Sequence, residues 1–207
     1  ALLAALEARG LRAALLAWWR PRLCRIAAWV AATEIARRAD APPEAIAAEV
    51  EGRLVLPGPA GDFLLVARAD RIERRRDGFL AILDYKTGAP PAAADVRTGH
   101  APQLTLEAAM ASAGSFGPGL AGEAAELAYW HMTGATPAGT AHAPLEPDQI
   151  AAATAMVRDN LIDRIAAFDD PHQPYLAAPH PGAAPRFSDY AQLARVAEWA
   201  SAGDETA

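Results

Sequence analysis

Apolar residues recur every three or four positions through the first forty residues of the chain. The recurring positions are Leu3, Leu6, Leu11, Leu15 and Trp18, followed by Leu23, Ile26, Val30 and Ile35. This spacing puts apolar side chains on one helix face and predicts two helices, at residues 2–18 and 22–39. Pro21 is expected to divide them and Pro42 to end the second, because proline lacks the N–H that a helix interior needs.

From residue 48 the pattern changes to short apolar runs with turn residues between them. The runs cover residues 49–56, 63–72 and 79–85, and glycine, proline or aspartate separates each from the next. Runs of this length that are bounded by turn residues are typical of strands. The sequence therefore predicts a three-stranded antiparallel meander.

The rest of the chain combines one further strand with helices. The predicted elements are a helix, a strand, a loop or sheet edge, a long helix and a final helix, at residues 102–113, 126–132, 133–147, 148–168 and 188–202 respectively. Asp148 and Ser188 are the expected caps of the last two helices. We expect an α/β fold in a single domain over residues 1–207, helical at 1–39, with a catalytic core at 48–132 and a helical segment at 148–207.

The composition narrows the class of protein. A chain of 207 residues that is 52% hydrophobic can bury one substantial core. Its single cysteine, Cys24, excludes an intramolecular disulfide and cannot alone hold zinc or an iron–sulfur cluster. Charged residues interrupt the first apolar stretch, which excludes a signal peptide and a membrane span, so we expect a cytoplasmic location. The net charge of −6 argues against a uniformly basic surface for nucleic acid.

The chemistry of the chain centres on its only lysine. Lys86 stands in the run Asp84-Tyr85-Lys86-Thr87-Gly88, and the other cationic residues of the 19 are all arginine. Unlike a guanidinium, an ammonium has a pKa that falls readily on burial, which suits chemistry that moves a proton or polarises a water. Residues two apart in a strand share a face, so Asp84 and Lys86 are expected to point the same way, and Tyr85 the other.

A second acid, Asp70, ends the preceding predicted strand, and the hairpin loop decides whether it meets Asp84. A two-residue loop at Asp77-Gly78 pairs Asp70 with Tyr85 and puts its side chain on the wrong face. A three-residue loop of Arg76-Asp77-Gly78, with Gly78 left-handed in a bulge, pairs Asp70 with Asp84. We predict the three-residue loop and a shared site.

Two converging carboxylates repel each other unless a cation lies between them. Mg²⁺ takes hard oxygen ligands, often one or two carboxylates completed by water and substrate phosphate, which suits phosphoester hydrolysis. Asp70 and Asp84 are the predicted metal ligands, with the Tyr85 carbonyl as a possible third. Lys86 is predicted to orient or deprotonate the attacking water and to stabilise charge on the phosphorus. The competing interpretation is a solvated surface ion pair worth under about 1 kcal/mol.

Arginines crowd the hairpin and the segment that follows the lysine. The candidates for contact with DNA phosphates are Arg71, Arg74, Arg75, Arg76 and Arg97. Such a patch neutralises phosphates and makes affinity fall with salt. An arginine-rich hairpin tip is equally often just a solvated surface.

Three motifs together resemble the PD-(D/E)XK nuclease superfamily, specifically its RecB-like branch. They are Asp70-Arg71-Ile72, the run from Asp84 to Gly88, and Pro102-Gln103-Leu104 on a predicted helix. The closing stretch from Arg186 to Trp199 resembles the end of AddB-type subunits of bacterial helicase–nucleases. The first resemblance spans about residues 48–115.

The resemblance implies a restriction-endonuclease-like core, Mg²⁺ or Mn²⁺, and cleavage of DNA. For AddB-type subunits it further implies single-stranded DNA ends as substrate and an AddA-like helicase–nuclease partner in double-strand-break repair by recombination. Asp70 and Asp84 correspond to the metal ligands of the family, Lys86 to its catalytic lysine, and Gln103 to a motif glutamine near DNA and the active site. A surface glutamine is the alternative for Gln103.

The chain departs from the family pattern at several positions. The family's histidine ligand on an upstream helix is missing, since the first histidine is His100, and Glu49 or Glu51 is a candidate replacement. We expect the chain to be truncated at its N-terminus, which begins without a cap or an initiator methionine. Glu107 stands where the glutamine motif normally has tyrosine, and Cys24 alone cannot hold the iron–sulfur cluster of many AddB proteins, so none is expected. The alternatives are a non-catalytic DNA-guiding or assembly module and a stand-alone RecB-like exonuclease.

Overall fold

The computed structural model describes residues 12–176 and 191–194. These residues fall in two compact units, one that ends at Ala166 and one that begins at Ala167. The helices are α1 (Ala13–Asp40), α2 (Ala93–Arg97), α3 (Gln103–Ser112), α4 (Pro147–Asp169) and α5 (Ala191–Ala194), and the strands are β1 (Ala45–Leu56), β2 (Phe63–Arg74), β3 (Leu80–Lys86), β4 (Ala124–Met132) and β5 (Gly139–His142). No helix within these residues is both long and apolar enough to span a membrane. The prediction of a single domain stays a prediction.

The strands form one five-stranded sheet in the order β1-β2-β3-β4-β5. The first three strands are antiparallel neighbours, which confirms the predicted meander. β4 pairs with β3 in parallel, after a crossover that contains α2 and α3, and β5 pairs antiparallel with β4 in the segment predicted as a loop or edge. The mostly antiparallel open sheet with flanking helices confirms the predicted α/β, restriction-endonuclease-like class.

The β2–β3 hairpin has the predicted three-residue loop. Arg71 lies opposite Leu83 and Arg74 opposite Leu80, and the Arg75 N–H donates to the Phe79 carbonyl at 2.9 Å. Gly78 has φ +87°, a left-handed conformation that glycine adopts at little cost. The loop chemistry therefore sets the register that places Asp70 and Asp84 at matching positions.

The two faces of the sheet carry separate apolar clusters. One face packs Ile72, Ile82 and Leu127 against helix α3 through Leu104 and Met110, among others. The opposite face packs residues of β3 and β4 against α1, and its members are Ala81, Leu83, Ala128 and Trp130 with Trp29, Val30 and Tyr85. Asp84 and Lys86 follow Ile82 at intervals of two, so they emerge on the α3 face.

Helix α1 runs straight through Pro21, contrary to the predicted break. Pro21 is exposed, so water can satisfy the carbonyl that loses its helical partner. The helix is also held just after the proline, since Arg22 and Arg25 donate at 2.7 Å to the Thr133 and Gly134 carbonyls. The part of the predicted first helix before residue 12 lies outside the described residues.

Helix α4 begins one residue earlier than predicted, at Pro147, so Asp148 lies in its first turn rather than capping it. Ile150, Val157 and Ile165 of the predicted apolar stripe are buried, whereas Phe168 is exposed and stacks on Tyr175. Of the predicted final helix at 188–202, only Ala191–Ala194 are described, and they are helical. Its expected cap, Ser188, lies outside the described residues.

A network of ion pairs joins α1 to the sheet on the face opposite Asp84. Arg71 is buried and pairs with Glu34 of α1 and with Glu73 of its own strand. Arg37 pairs with Glu73 at 2.8 Å and with Glu126 at 2.5 Å. Because Glu73 is only 2% exposed, its charge depends on these two arginines for compensation.

Replacing Arg71 with methionine is expected to destabilise the fold by roughly 3 kcal/mol, since it leaves Glu73 buried with one partner. The free energy of unfolding from a denaturant titration measures the effect. The matched control is Arg38→Met, which removes an exposed i,i+4 pair with Glu34 and should cost under about 0.5 kcal/mol. Equal effects of the two substitutions would contradict a structural role for the Arg71 network.

Candidate active site

Asp70 lies where strand β2 parts from strand β3. The ladder between the two strands extends from Arg74 to Arg71 and does not include Asp70. The Asp70 carboxylate replaces the next main-chain bond, because its Oδ2 accepts the Tyr85 N–H at 2.8 Å. Asp70 is half-buried at the opening that this fork creates. The residues that end the ladder are therefore the ones that build the site.

Strand β1 is irregular at the same level, at Glu49. Glu49 has φ +54°, a rare conformation for a residue other than glycine, and its neighbours Ala48 and Val50 pair with Arg71 and Ala69 on either side of Asp70. The Glu49 side chain is exposed and pairs with Arg68 at 3.0 Å. Glu51 is also exposed. Neither first-strand glutamate takes the place of the missing histidine in this arrangement.

Asp84 and Lys86 lie side by side on the α3 face, as predicted. Lys86 Nζ is 2.8 Å from Asp84 Oδ2, and Asp84 is 3% exposed. Burial of the acid is inconsistent with a solvated surface ion pair. The Tyr85 side chain points to the other face, where its hydroxyl accepts a bond from Arg71 at 3.2 Å.

Gln103, the first residue of α3, links the acid and the lysine. Its amide nitrogen donates to Asp84 Oδ1 at 2.6 Å, and its amide oxygen accepts from Lys86 Nζ at 3.0 Å. Three side chains from β3 and α3 are thus joined in one hydrogen-bonded cluster. The structure brings together Asp70, Asp84, Lys86 and Gln103, and their catalytic and metal-binding roles stay predictions.

Glu107 belongs to the same cluster, although the sequence singled it out only as a departure from a motif. It lies one helical turn after Gln103, is 3% exposed, and accepts a bond from the Gln103 amide nitrogen at 3.2 Å. The pKa of Glu107 is raised to about 7, chiefly by burial and also by the charges of Asp84 and Asp70, against opposing contributions from Gln103 and Lys86. Its Oε2 is buried without a hydrogen-bond partner.

Strand β4 contributes two residues that the sequence did not assign to the site. Tyr129 lies beside Asp84 and His131 beside Lys86 in the parallel register. Tyr129 is fully buried, with a hydroxyl that has no hydrogen-bond partner, and burial raises its pKa to about 12 with help from the Asp84 and Glu107 charges. Lys86 Nζ lies 5.8 Å from the centre of the Tyr129 ring. Only the pairing of β3 with β4, which sequence patterns do not reveal, places these residues here.

The hairpin arginines lie away from the cluster. Arg71 is buried among Glu34 and Glu73, which contradicts the prediction that it contacts DNA. Arg74 donates to the carbonyls of Gly119 and Ala121.

Of the remaining predicted DNA-contact arginines, Arg75 and Arg76 also lie away from the cluster, and Arg97 is the exception. Arg75 pairs with Asp77 at 2.7 Å, and Arg76 is exposed in the turn. The turn is at the far end of the strand from Asp84, roughly 20 Å away at about 3.3 Å per residue. Only Arg97, exposed at the end of α2, follows the site-bearing end of β3.

The oxygen donors of the cluster fit a divalent cation of the kind that the family implies. Glu107 Oε2 is buried without a hydrogen-bond partner, and the nearby Asp84 Oδ2 is buried with the Lys86 amine as its contact, at 2.8 Å. No group of three or more histidine, cysteine, aspartate or glutamate side chains within the described ranges is arranged to hold a metal ion by itself. Mg²⁺ commonly uses one or two carboxylates and completes its shell with water and substrate oxygens, and the predicted ligands Asp70 and Asp84 match that number.

Comparisons with known proteins identify the family of the chain. The chain is 39% identical to an uncharacterised protein of Rickettsia felis and 37% identical to one of Rickettsia bellii, each over 62 residues. These matches cover 30% of this chain but only 7% and 8% of those proteins. A solved structure described as SSO0001 is 15% identical over 77% of this chain and 64% of its own, with a TM-score of 0.36, too low to support an inference. The family model of the PD-(D/E)XK nuclease superfamily matches residues 1–180, and the chain belongs to that superfamily.

Proposed function

We propose that this chain is a divalent-metal-dependent deoxyribonuclease that hydrolyses DNA phosphodiester bonds. Membership of the superfamily suggests nuclease activity in general. The observation that carries the more specific proposal is the ion pair of Lys86 with the buried Asp84, bridged by Gln103 and set beside Asp70 at the strand fork. An amine and two carboxylates around one opening are the groups that phosphodiester hydrolysis needs.

Asp70, Asp84, Lys86 and Gln103 each have a part in the proposed reaction. Asp70 and Asp84 would hold a divalent cation, with the Tyr85 carbonyl as a further oxygen donor. The chemistry that Mg²⁺ or Mn²⁺ would supply there is polarisation of the phosphoryl oxygen and a more acidic water. Lys86 orients the attacking water and stabilises negative charge that develops on the phosphate, and it takes up the proton of the water only in its neutral amine form. Gln103 keeps the amine next to Asp84, since its carbonyl accepts from Lys86 Nζ at 3.0 Å.

The groups available for the DNA backbone lie on α2, the following loop and α4 rather than on the arginine hairpin. Arg97 and His100 are exposed on the segment between β3 and α3. His100 and Arg164 line a cavity of about 240 Å³, together with Pro102 and Leu106, which flank Gln103 on its helix. Cations next to an active-site helix suit phosphate contacts, so we propose that DNA approaches from this side.

We further propose that the chain acts as an AddB-type nuclease module, with an AddA-like helicase–nuclease partner, on single-stranded DNA ends in double-strand-break repair. Support comes from the Asp-Tyr-Lys-Thr-Gly run and from the closing stretch that resembles AddB-type subunits. The chain spans less than a tenth of the length of the Rickettsia proteins it matches, which fits a module carried within long proteins.

The proposed activity is tested by incubating the protein with end-labelled single-stranded DNA and Mg²⁺ or Mn²⁺. We expect degradation that EDTA abolishes and that Asp84→Ala reduces at least about 100-fold. The matched control is Asp159→Ala, which removes an exposed acid from α4 and should leave the rate unchanged. Equal degradation by the Asp84→Ala variant and the unsubstituted protein would refute the assignment.

A second candidate function is a non-catalytic module that guides DNA or supports assembly. The specific observation in its favour is that the carboxylates of the described residues form no three-membered metal-binding group. Binding of single-stranded DNA without cleavage, and without any metal dependence that Asp84→Ala removes, would favour this function.

A further inference from the structure

Burial of the Glu107 carboxyl costs free energy, and the packing around it does not explain why a carboxyl stands there. It lies on the face of α3 that packs on the sheet, between the buried residues Leu104, Ala108 and Ala111. A buried carboxyl loses hydration, and here it recovers a single hydrogen bond while Oε2 has no partner. A methionine or leucine would fill this volume without that cost. The carboxyl therefore has a use other than stability.

The one hydrogen bond of Glu107, which it accepts from Gln103, indicates what the carboxyl is used for. Gln103 and Glu107 are four residues apart on α3, the spacing at which helical side chains meet. The Gln103 amide group is fully engaged: its nitrogen donates to Asp84 Oδ1 and Glu107 Oε1, and its oxygen accepts from Lys86. Gln103 is exposed, so without the bond to Glu107 its long side chain has rotamers that swing away from the cluster.

We propose that Glu107 is a positioning residue that tethers the Gln103 amide, which in turn holds the Lys86 amine against Asp84. The tether needs a carbonyl-type oxygen at this place and no net charge, because a carboxylate, a carboxylic acid and an amide all present an oxygen that accepts from the Gln103 nitrogen. The inference rests on the proposed nuclease function for its kinetic consequence but not for its structural one.

The test compares Glu107→Gln with Glu107→Met in two measurements. In the first, the side-chain amide N–H signals of Gln103 are followed by NMR in the metal-free protein, which does not depend on cleavage. Glu107→Gln should leave these signals close to their original positions, whereas Glu107→Met should shift them toward the values of a free glutamine. Both variants should fold, since the first preserves shape and the second replaces a buried polar group by an apolar one.

In the second measurement, kcat and KM for single-stranded DNA are determined with Mn²⁺. We expect Glu107→Met to lower kcat about tenfold, the loss expected for one hydrogen bond, with KM and Mn²⁺ affinity little changed. Glu107→Gln should restore kcat to within about threefold. A purely structural role would change stability but not kcat.

The outcomes separate this inference from the proposed function. An unchanged Gln103 amide signal in Glu107→Met overturns the tether, whether or not the protein cleaves DNA. Equal loss of kcat in Glu107→Gln and Glu107→Met also overturns it, because it would show that the charge of Glu107 is required. Shifted amide signals in a protein that never cleaves DNA would support the tether and refute the nuclease function.

Discussion

Replacing Lys86 with methionine is expected to reduce DNA cleavage at least about 100-fold while Mn²⁺ binding is retained. Methionine preserves the aliphatic stem but removes the amine that lies 2.8 Å from Asp84 and 3.0 Å from Gln103. The carboxylates lose a competing cation, so metal affinity should stay the same or rise. Single-turnover cleavage rates at saturating Mn²⁺ measure the loss in the chemical step.

Lys86→Arg tests whether cleavage needs the amine itself or only a positive charge at this position. Arginine keeps a positive charge but is a planar group that does not give up its proton, so it should restore little of the rate. The control is Arg158→Met, an exposed cation on α4, which should cleave like the unsubstituted protein. Full activity in Lys86→Arg would show that only charge is needed at this position, contrary to the proposed role of Lys86 in proton transfer.

Asp70→Asn and Asp70→Ala are expected to differ in structure but not in activity. Both remove a negative charge that the proposed cation needs, so both should reduce cleavage at least about 100-fold. Asparagine retains an oxygen for the Tyr85 N–H that Asp70 Oδ2 accepts at 2.8 Å, whereas alanine leaves this donor without its partner. Asp70→Ala should therefore also lower the free energy of unfolding, by about 1–3 kcal/mol.

The denaturant midpoint and the cleavage rate of the two Asp70 variants are measured in parallel. Loss of cleavage in Asp70→Asn with an unchanged denaturant midpoint would show that cleavage requires the negative charge of Asp70. An active Asp70→Asn variant would restrict Asp70 to its structural bond with Tyr85 and would remove it from the proposed metal site.

The part of the site that the sequence predicted depends on local rules. Alternation along β3 put Asp84 and Lys86 on one face, and the left-handed preference of Gly78 selected the loop that aligned Asp70 with Asp84. Both rules act over a few residues, so neither needs knowledge of the rest of the fold. The helix that begins at Gln103 was likewise predictable from its apolar spacing.

The part that the sequence missed depends on contacts between distant segments. The parallel pairing of β3 with β4 brings Tyr129 and His131 to the site, and no local pattern specifies that pairing. The sequence marked Glu107 only as a departure from the glutamine motif, because its burial arises from the packing of α3 on the sheet. Pro21 was expected to break a helix because its solvent-facing position, and the contacts of the residues that follow it, are tertiary features. The burial of Arg71 also depends on contacts between distant segments.

The central claim is that Asp70 and Asp84 together hold a divalent cation for DNA cleavage. Its most direct test is a calorimetric titration of Mn²⁺ into the unsubstituted protein and into the Asp70→Asn, Asp84→Asn double variant, in the presence of single-stranded DNA with a non-hydrolysable phosphorothioate end. We predict one Mn²⁺ site in the unsubstituted protein and no binding to it in the double variant. Mn²⁺ binding that is the same in both proteins, or absent from both, would contradict the claim.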